Sequence, residues 1–145
     1  MIALIQRVTQ ARVTVTERET GAIGPGLLAL IGVEKDDTTR NADRLLERVL
    51  TYRVFADEAG RMNRSLTDVG GGLLLVPQFT LAADTRKGTR PGFSTAKAPD
   101  EAQHLFEYLL ASAQQAHSPV AAGEFGAEMF VSLTNHGPVT FWLTA

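Results

Sequence analysis

Only two stretches of this chain carry a helical period, and most of what surrounds them has the pattern of strands. The first stretch runs from Thr38 to Tyr52. There Leu45, Val49 and Tyr52 fall at i, i+4 and i+7 with Leu46 and Leu50 beside them, while Arg40, Asp43, Arg44, Glu47 and Arg48 form the outer face. The second runs from Pro99 to Gln115 and gathers Ala102, Leu105, Phe106, Leu109, Leu110 and Ala113 on one face. Pro99 suits a first helical turn, and Asp100 with Gln103 offers an alternative cap. Two helices are too few for a doubly wound parallel sheet. The pattern predicts an α+β fold in which a curved, barrel-like, mostly antiparallel sheet packs against two amphipathic helices.

The strands follow from alternation and from turn residues. Residues 2–8 and 11–16 are predicted as strands, Gly21 to Gly26 as a turn, and Leu27 to Val33 as a short apolar strand, together a three-stranded meander. Arg53 to Phe55 is a further strand candidate, followed by a loop from Asp57 to Ser65. Leu73 to Leu81 has the composition of a buried strand, and Pro77, which has no N–H, makes it irregular at that point. Asp84 to Lys97 is the one long connection without a period. Glu128 to Thr134 alternates, Asn135-His136-Gly137-Pro138 is a turn, and Val139 to Thr144 is the last strand. A length of 145 residues with no internal repeat and no linker predicts a single domain, 1–145.

Composition removes several kinds of chemistry. With no cysteine, thiolate nucleophiles, disulfides and zinc sites that need sulfur are excluded. The serines lack a Gly-x-Ser-x-Gly elbow, and His104, His117 and His136 form no ligand pattern, so neither a serine hydrolase nor a metal site is expected, and no cofactor. A formal net charge of −2 argues against attachment to nucleic acid by bulk charge. Met1 to Val8 is apolar but broken by Gln6 and Arg7, which fits a first strand rather than a signal peptide or a membrane span, and predicts a soluble cytoplasmic protein.

Three segments remain as candidates for binding or chemistry. The long connection carries Arg86, Lys87 and Arg90, which suit contacts with phosphate, or else form an ordinary solvated loop. Pro77 to Leu81 and Asn135 to Thr140 each place Gly or Pro where strand geometry fails. That either frees backbone N–H and C=O groups for a ligand or makes two simple β-turns.

Met1 to Val8, Gly32-Val33-Glu34-Lys35-Asp36-Asp37, Gln78-Phe79-Thr80-Leu81, Arg90-Pro91 and Asn135 to Thr140 together closely resemble the D-aminoacyl-tRNA deacylases, end to end and in order. The resemblance implies a homodimeric editing enzyme, with active sites at the subunit interface, that hydrolyses the ester between a D-amino acid and the terminal adenosine of tRNA. It also implies removal of glycine mischarged onto tRNA. The family's cis Gly-Pro motif, which reaches into the partner subunit's site and leaves no room for an L side chain, maps to Gly137-Pro138. Its catalytic motif maps to Gln78, Phe79 and Thr80, with Pro77 standing where the family has Ser. The Phe79 and Thr80 amides are then available to the substrate carbonyl and its oxyanion.

No His, Lys or carboxylate in that motif is evidently placed to activate the Thr80 hydroxyl, and the resemblance implies that the 2′-hydroxyl of the terminal adenosine assists instead. Phe125 and Met129 match pocket positions, and an aromatic there suits stacking on adenine. For Met129 a plain core role fits the alternation equally well. Arg7 matches an arginine that supports the Gly-Pro turn. A rival reading is a non-catalytic tRNA-binding module that lost turnover through the change to Pro77.

Overall fold

The computed structural model describes every residue from Met1 to Ala145. It is an α+β structure built on a curved six-stranded sheet in which β1 (Ile2–Val15) pairs with three neighbours. Along one edge β1 meets β8 (Phe130–Thr144) for almost its whole length. Along the other it meets β3 (Gly26–Gly32) at its beginning and β2 (Arg18–Ile23) at its end. The sheet continues through β6 (Gly72–Pro77) to β7 (Val120–Ala122), and both of those pairings are parallel. The curvature brings β2 back against β7. A Cβ at Gly21 would sit 2.6 Å from the Ala122 carbonyl oxygen, so only a bare backbone fits there.

The expected architecture is present, and its details differ in instructive ways. The strands predicted at residues 2–8 and 11–16 form one continuous β1 that ends at Val15; it runs on through the exposed Thr9 and Gln10, where its register with β8 shifts. The turn predicted at Gly21 to Gly26 is confined to Gly24 and Pro25, because Gly21 to Ile23 belong to the strand β2 and Gly26 opens β3. The reversal into β2 sits at Thr16 and Glu17, with Thr16 at φ +56°. The sheet is mixed because β3, β6 and β7 run parallel, joined through helices and loops. The predicted Asp57–Ser65 loop contains β5 (Met62–Arg64), paired with β4 (Phe55–Ala56), and leads into a one-turn helix α2 (Leu66–Val69).

Helices α1 (Thr39–Thr51) and α3 (Pro99–Ala116) lie where the periodicity put them. Asn41 closes the start of α1 by accepting the Thr38 N–H at 2.9 Å, and Pro99 occupies the first turn of α3. Their apolar faces pack on one side of the sheet: Leu45 and Leu105 join Met1, Ile5, Leu27 and Leu73 in the larger core. The opposite face curls on itself around Val8, Val13, Leu28, Leu74 and Val76. Burial on both faces explains why β3 and β6 are continuous apolar runs rather than alternating ones. No helix is long and apolar enough to cross a membrane.

Candidate active site

The site begins where β6 stops. Leu73 to Leu75 are clamped between β3 and β7, but β7 ends at Ala122 and Pro77 lies beyond it. The next N–H, that of Gln78, turns back to β3 and donates to the Ile31 carbonyl at 2.7 Å. Alternation along the strand therefore aims the nitrogen of Pro77 to the other side, where no neighbour requires an N–H. A proline is tolerated there, and the ladder ends with it. The chain does not continue as a strand to Leu81 as the sequence suggested: Phe79–Ala82 is a short 3-10 turn.

That turn exposes donors. The first N–H groups of a helical turn have no partner inside it, and the N–H groups of Phe79 and Thr80 donate to nothing else in the structure. The Thr80 hydroxyl accepts from the side-chain amide of Gln78. No histidine, lysine or carboxylate is bonded to it, so nothing is in position to take its proton.

Beside the turn lies a pocket of about 410 Å³, walled by Pro77, Gln78, Phe79, Phe125, Met129 and Val131 among others. Phe125 is held at its back by Phe106 of α3, ring centroids 6.3 Å apart. Met129 precedes β8 rather than lying within it, and its sulfur receives the Glu124 N–H at 3.4 Å. A Cβ at Gly123 would come within 2.7 Å of that sulfur, so a side chain there would displace the flexible end of Met129 from its place in the wall. Phe79 remains 59% exposed at the mouth and meets Phe93 at 5.1 Å between centroids.

Phe93 ties the pocket to the basic connection, whose first part is closed into a loop by mutual backbone bonds between Asp84 and Gly92. Arg86, Lys87 and Arg90 line a separate pocket of about 380 Å³ with no hydrophobic residue in its wall. They are not equivalent. Arg86 is held by the Asp84 carboxylate at 2.8 and 2.7 Å, and these bonds keep the Asp84 carboxyl far below the usual carboxylate range. Lys87 and Arg90 have no ion-pair partner.

Gly137 and Pro138 stand elsewhere. The expected turn is a wide bulge inside β8: Gln6 pairs with Thr140 and Val8 with Asn135, so four residues, 136–139, stand opposite Arg7 alone. Asn135 closes the bulge, accepting the Val139 N–H at 3.1 Å and donating to the Thr140 hydroxyl at 2.9 Å. The Gly137–Pro138 peptide is cis, and Gly137 has φ +134°, a conformation that side chains disfavour. Arg7 supports the bulge from below, its Nε–H on the His136 carbonyl at 3.0 Å and its Nη1–H on the Val54 carbonyl at 2.7 Å. Gly137 and Pro138 face solvent, and neither lines the pocket beside Phe79. One chain does not bring the two motifs together.

Sequence reasoning did not single out Lys97 as a pocket residue, although it lies in the wall. Nor did it point to His117, just past the end of α3, whose ring nitrogen bonds the Gly71 carbonyl at 2.7 Å and ties that helix end to the turn before β6. Neither contact leaves a local sequence signal, because both partners are distant in the chain. No group of three or more His, Asp or Glu residues is arranged to hold a metal.

The family model described as D-Tyr-tRNA(Tyr) deacylase matches residues 4–144. The D-aminoacyl-tRNA deacylase of Herminiimonas arsenicoxydans is 64% identical over 143 residues, covering 99% of this chain and 96% of that protein. That of Azotobacter vinelandii is 62% identical over 145 residues, covering 100% of both. Among solved structures, a chain described as c-Myc DNA Unwinding Element Binding Protein superposes with a TM-score of 0.95 at 36% identity, covering 100% of this chain and 99% of that one. A probable eukaryotic D-amino acid tRNA deacylase superposes with a TM-score of 0.88 over 99% of this chain and 98% of that one, at 16% identity, a likeness of fold.

Proposed function

This chain belongs to the D-Tyr-tRNA(Tyr) deacylase family and is a hydrolase of the D-aminoacyl-tRNA deacylase kind, and from that premise we propose how its own residues divide the work. The amino acid ester enters the pocket beside Phe79, with the terminal adenosine against Phe125 and Met129. Water adds to the ester carbonyl carbon, and the N–H groups of Phe79 and Thr80 receive the negative charge that develops on the carbonyl oxygen. The carbon–oxygen bond to the ribose then breaks. The ribose oxygen takes a proton, and free D-amino acid and tRNA leave. The neighbouring 2′-hydroxyl of the terminal adenosine assists the water, which a protein without an activated nucleophile requires from its substrate.

Chirality is read by exclusion. In a homodimer, the bulge of one subunit enters the pocket of the other, and Gly137 and Pro138 present backbone where an L side chain would lie. A D side chain points away, and glycine has none, so D-aminoacyl-tRNA and mischarged glycyl-tRNA are accepted. Specificity then comes from a clash with the wrong ligand rather than from attraction to the right one. Residues 1–145 act as one catalytic unit per subunit, in the cytoplasm where aminoacyl-tRNA is used.

The observation that carries this reading is the pairing of two unpartnered backbone donors, at Phe79 and Thr80, with a Thr80 hydroxyl that no base attends. Single-turnover hydrolysis of D-tyrosyl-, L-tyrosyl- and glycyl-tRNA tests it. D-tyrosyl and glycyl esters should be lost far faster than L-tyrosyl, a substrate ending in 2′-deoxyadenosine should be poor, and Thr80→Ala should keep substantial activity. Equal rates on both enantiomers would sink chiral exclusion, and a folded but inactive Thr80→Ala protein would restore a protein nucleophile. Binding of tRNA with no ester loss would instead favour a module silenced at Pro77.

A further inference from the structure

Of the 12 residues that line the pocket beside Phe79, one carries a charge: Lys97. Its side chain is 12% exposed, so most of it is packed against the protein. An ammonium has three donors. One goes to the Lys35 carbonyl at 2.8 Å, and a second reaches the Glu101 carboxylate only at 3.5 Å. Glu101 is itself 71% exposed, so water and salt weaken that contact. A third donor has no partner. The backbone on either side is fixed, since the Lys97 N–H bonds the Val33 carbonyl at 3.1 Å and α3 begins at Pro99. The result is a preorganised, incompletely paired cation in an otherwise uncharged wall.

We infer that Lys97 binds the phosphate on the 5′ side of the substrate's terminal adenosine and thereby fixes which end of the substrate lies against α3. The inference rests on the reading of this pocket as an aminoacyl-adenosine site. That substrate carries two charges near the ester, the α-ammonium of the amino acid and the phosphate of the nucleotide. A lysine packed into the wall repels the first and attracts the second, more strongly than it would in open water. The aminoacyl end is turned away from Lys97 and the 5′ side is drawn toward it. A lysine that only tied Lys35 to α3 would affect every substrate alike, whether or not it carried a phosphate.

The D-tyrosyl esters of adenosine 5′-monophosphate and of adenosine differ by that phosphate alone. The wild-type protein should prefer the phosphorylated ester by about tenfold in kcat/KM, the size expected of one charge-assisted hydrogen bond. Lys97→Met should abolish the preference and Lys97→Arg should keep it. If Lys97→Met does not fold, Lys97→Gln, a polar but neutral replacement, gives the same comparison. An unaltered preference in the neutral variants, or equal losses on both esters, would overturn the assignment. So would a wild-type protein that hydrolyses both esters equally, whereas one inert toward both esters and toward D-tyrosyl-tRNA would overturn the reading of the pocket itself.

Discussion

Arg7 and His136 are joined by one hydrogen bond of 3.0 Å, from the guanidinium Nε–H to a backbone carbonyl, across the widest irregularity in the sheet. The same guanidinium reaches the Val54 carbonyl at 2.7 Å, so one side chain links the bulge of β8 to the segment after α1. A guanidinium is suited to this because its donors are set in a rigid planar fork and stay charged. The bulge is thereby held in one place although its crest, at Gly137 and Pro138, touches solvent.

Arg7→Met should leave the His136 and Val54 carbonyls without their donor and lower stability by about 1–3 kcal/mol, readable as a shifted urea midpoint. The more informative change is in selectivity. A loosened bulge should blunt exclusion, so the ratio of D- to L-tyrosyl-tRNA hydrolysis should fall more than the D rate itself. A variant that is less stable but keeps the full ratio would detach Arg7 from chirality.

Gly137→Ala tests the bulge from its crest. At φ +134° any side chain is strained, and a Cβ would lie 2.7 Å from the Val139 side chain and 3.1 Å from the Arg7 guanidinium. Since the crest is exposed, the protein should still fold, with near-native circular dichroism. Hydrolysis of D-tyrosyl-tRNA should drop at least about tenfold, because an off-position motif costs orientation. Wild-type activity in this variant would show that the crest does not enter a site.

The two helices, most strands and the place of the irregularities were legible in the sequence because each rests on local signals: a 3.6 period, an alternation, a proline without an N–H. The parallel pairing of β3, β6 and β7 was not legible, since nothing in Leu27–Ile31 or Leu73–Val76 distinguishes a parallel neighbour from an antiparallel one. Of the short pair, the strand read at Arg53 to Phe55 is present as Phe55–Ala56, with Phe55 packed against the core, whereas Met62–Arg64 is exposed throughout and has no burial pattern to betray it. At the site, the motif residues were named by resemblance. Their geometry required the fold: the unpartnered amides of Phe79 and Thr80 exist because β6 stops at Pro77, and Lys97 enters the wall because of contacts with Lys35 and Val33 far away in sequence.

Acid should destabilise this protein through three surface aspartates. Asp57 is lowered from 3.8 chiefly by the Asn63 amide and the Arg61 N–H, Asp68 by its bonds with Ser65, and Asp84 by the Arg86 guanidinium. Each folded-state value lies below the unfolded one. Their contributions are therefore complete above the ordinary carboxylate range and are lost as pH falls below about 4 through the lowered values. Urea midpoints measured from pH 6 to pH 2 should be level at first and then decline. Asp57→Asn should make the decline shallower, and a variant with an unchanged acid limb would remove Asp57 from the account.

Salt dependence separates the three cations of the long connection. Each phosphate neutralised by a protein cation releases counterions, and the slope of log affinity against log salt steepens by about 0.7 to 0.9 per contact. Arg86 already shares its charge with Asp84 at 2.7 Å, and moving it to a phosphate would strand that carboxylate, so it should contribute little. Lys87 and Arg90 are unpaired and line the same pocket of about 380 Å³. The double variant Lys87→Ala, Arg90→Ala should therefore reduce the slope for tRNA binding by about 1 to 2, while Arg86→Ala should leave it nearly as it was. With a formal net charge of −2, the wild-type slope should itself be shallow. A steep wild-type slope that survives the double variant would place the main tRNA contacts on another face, and the arginines of α1 and the segment after it, Arg44, Arg48 and Arg53, would be the first to substitute.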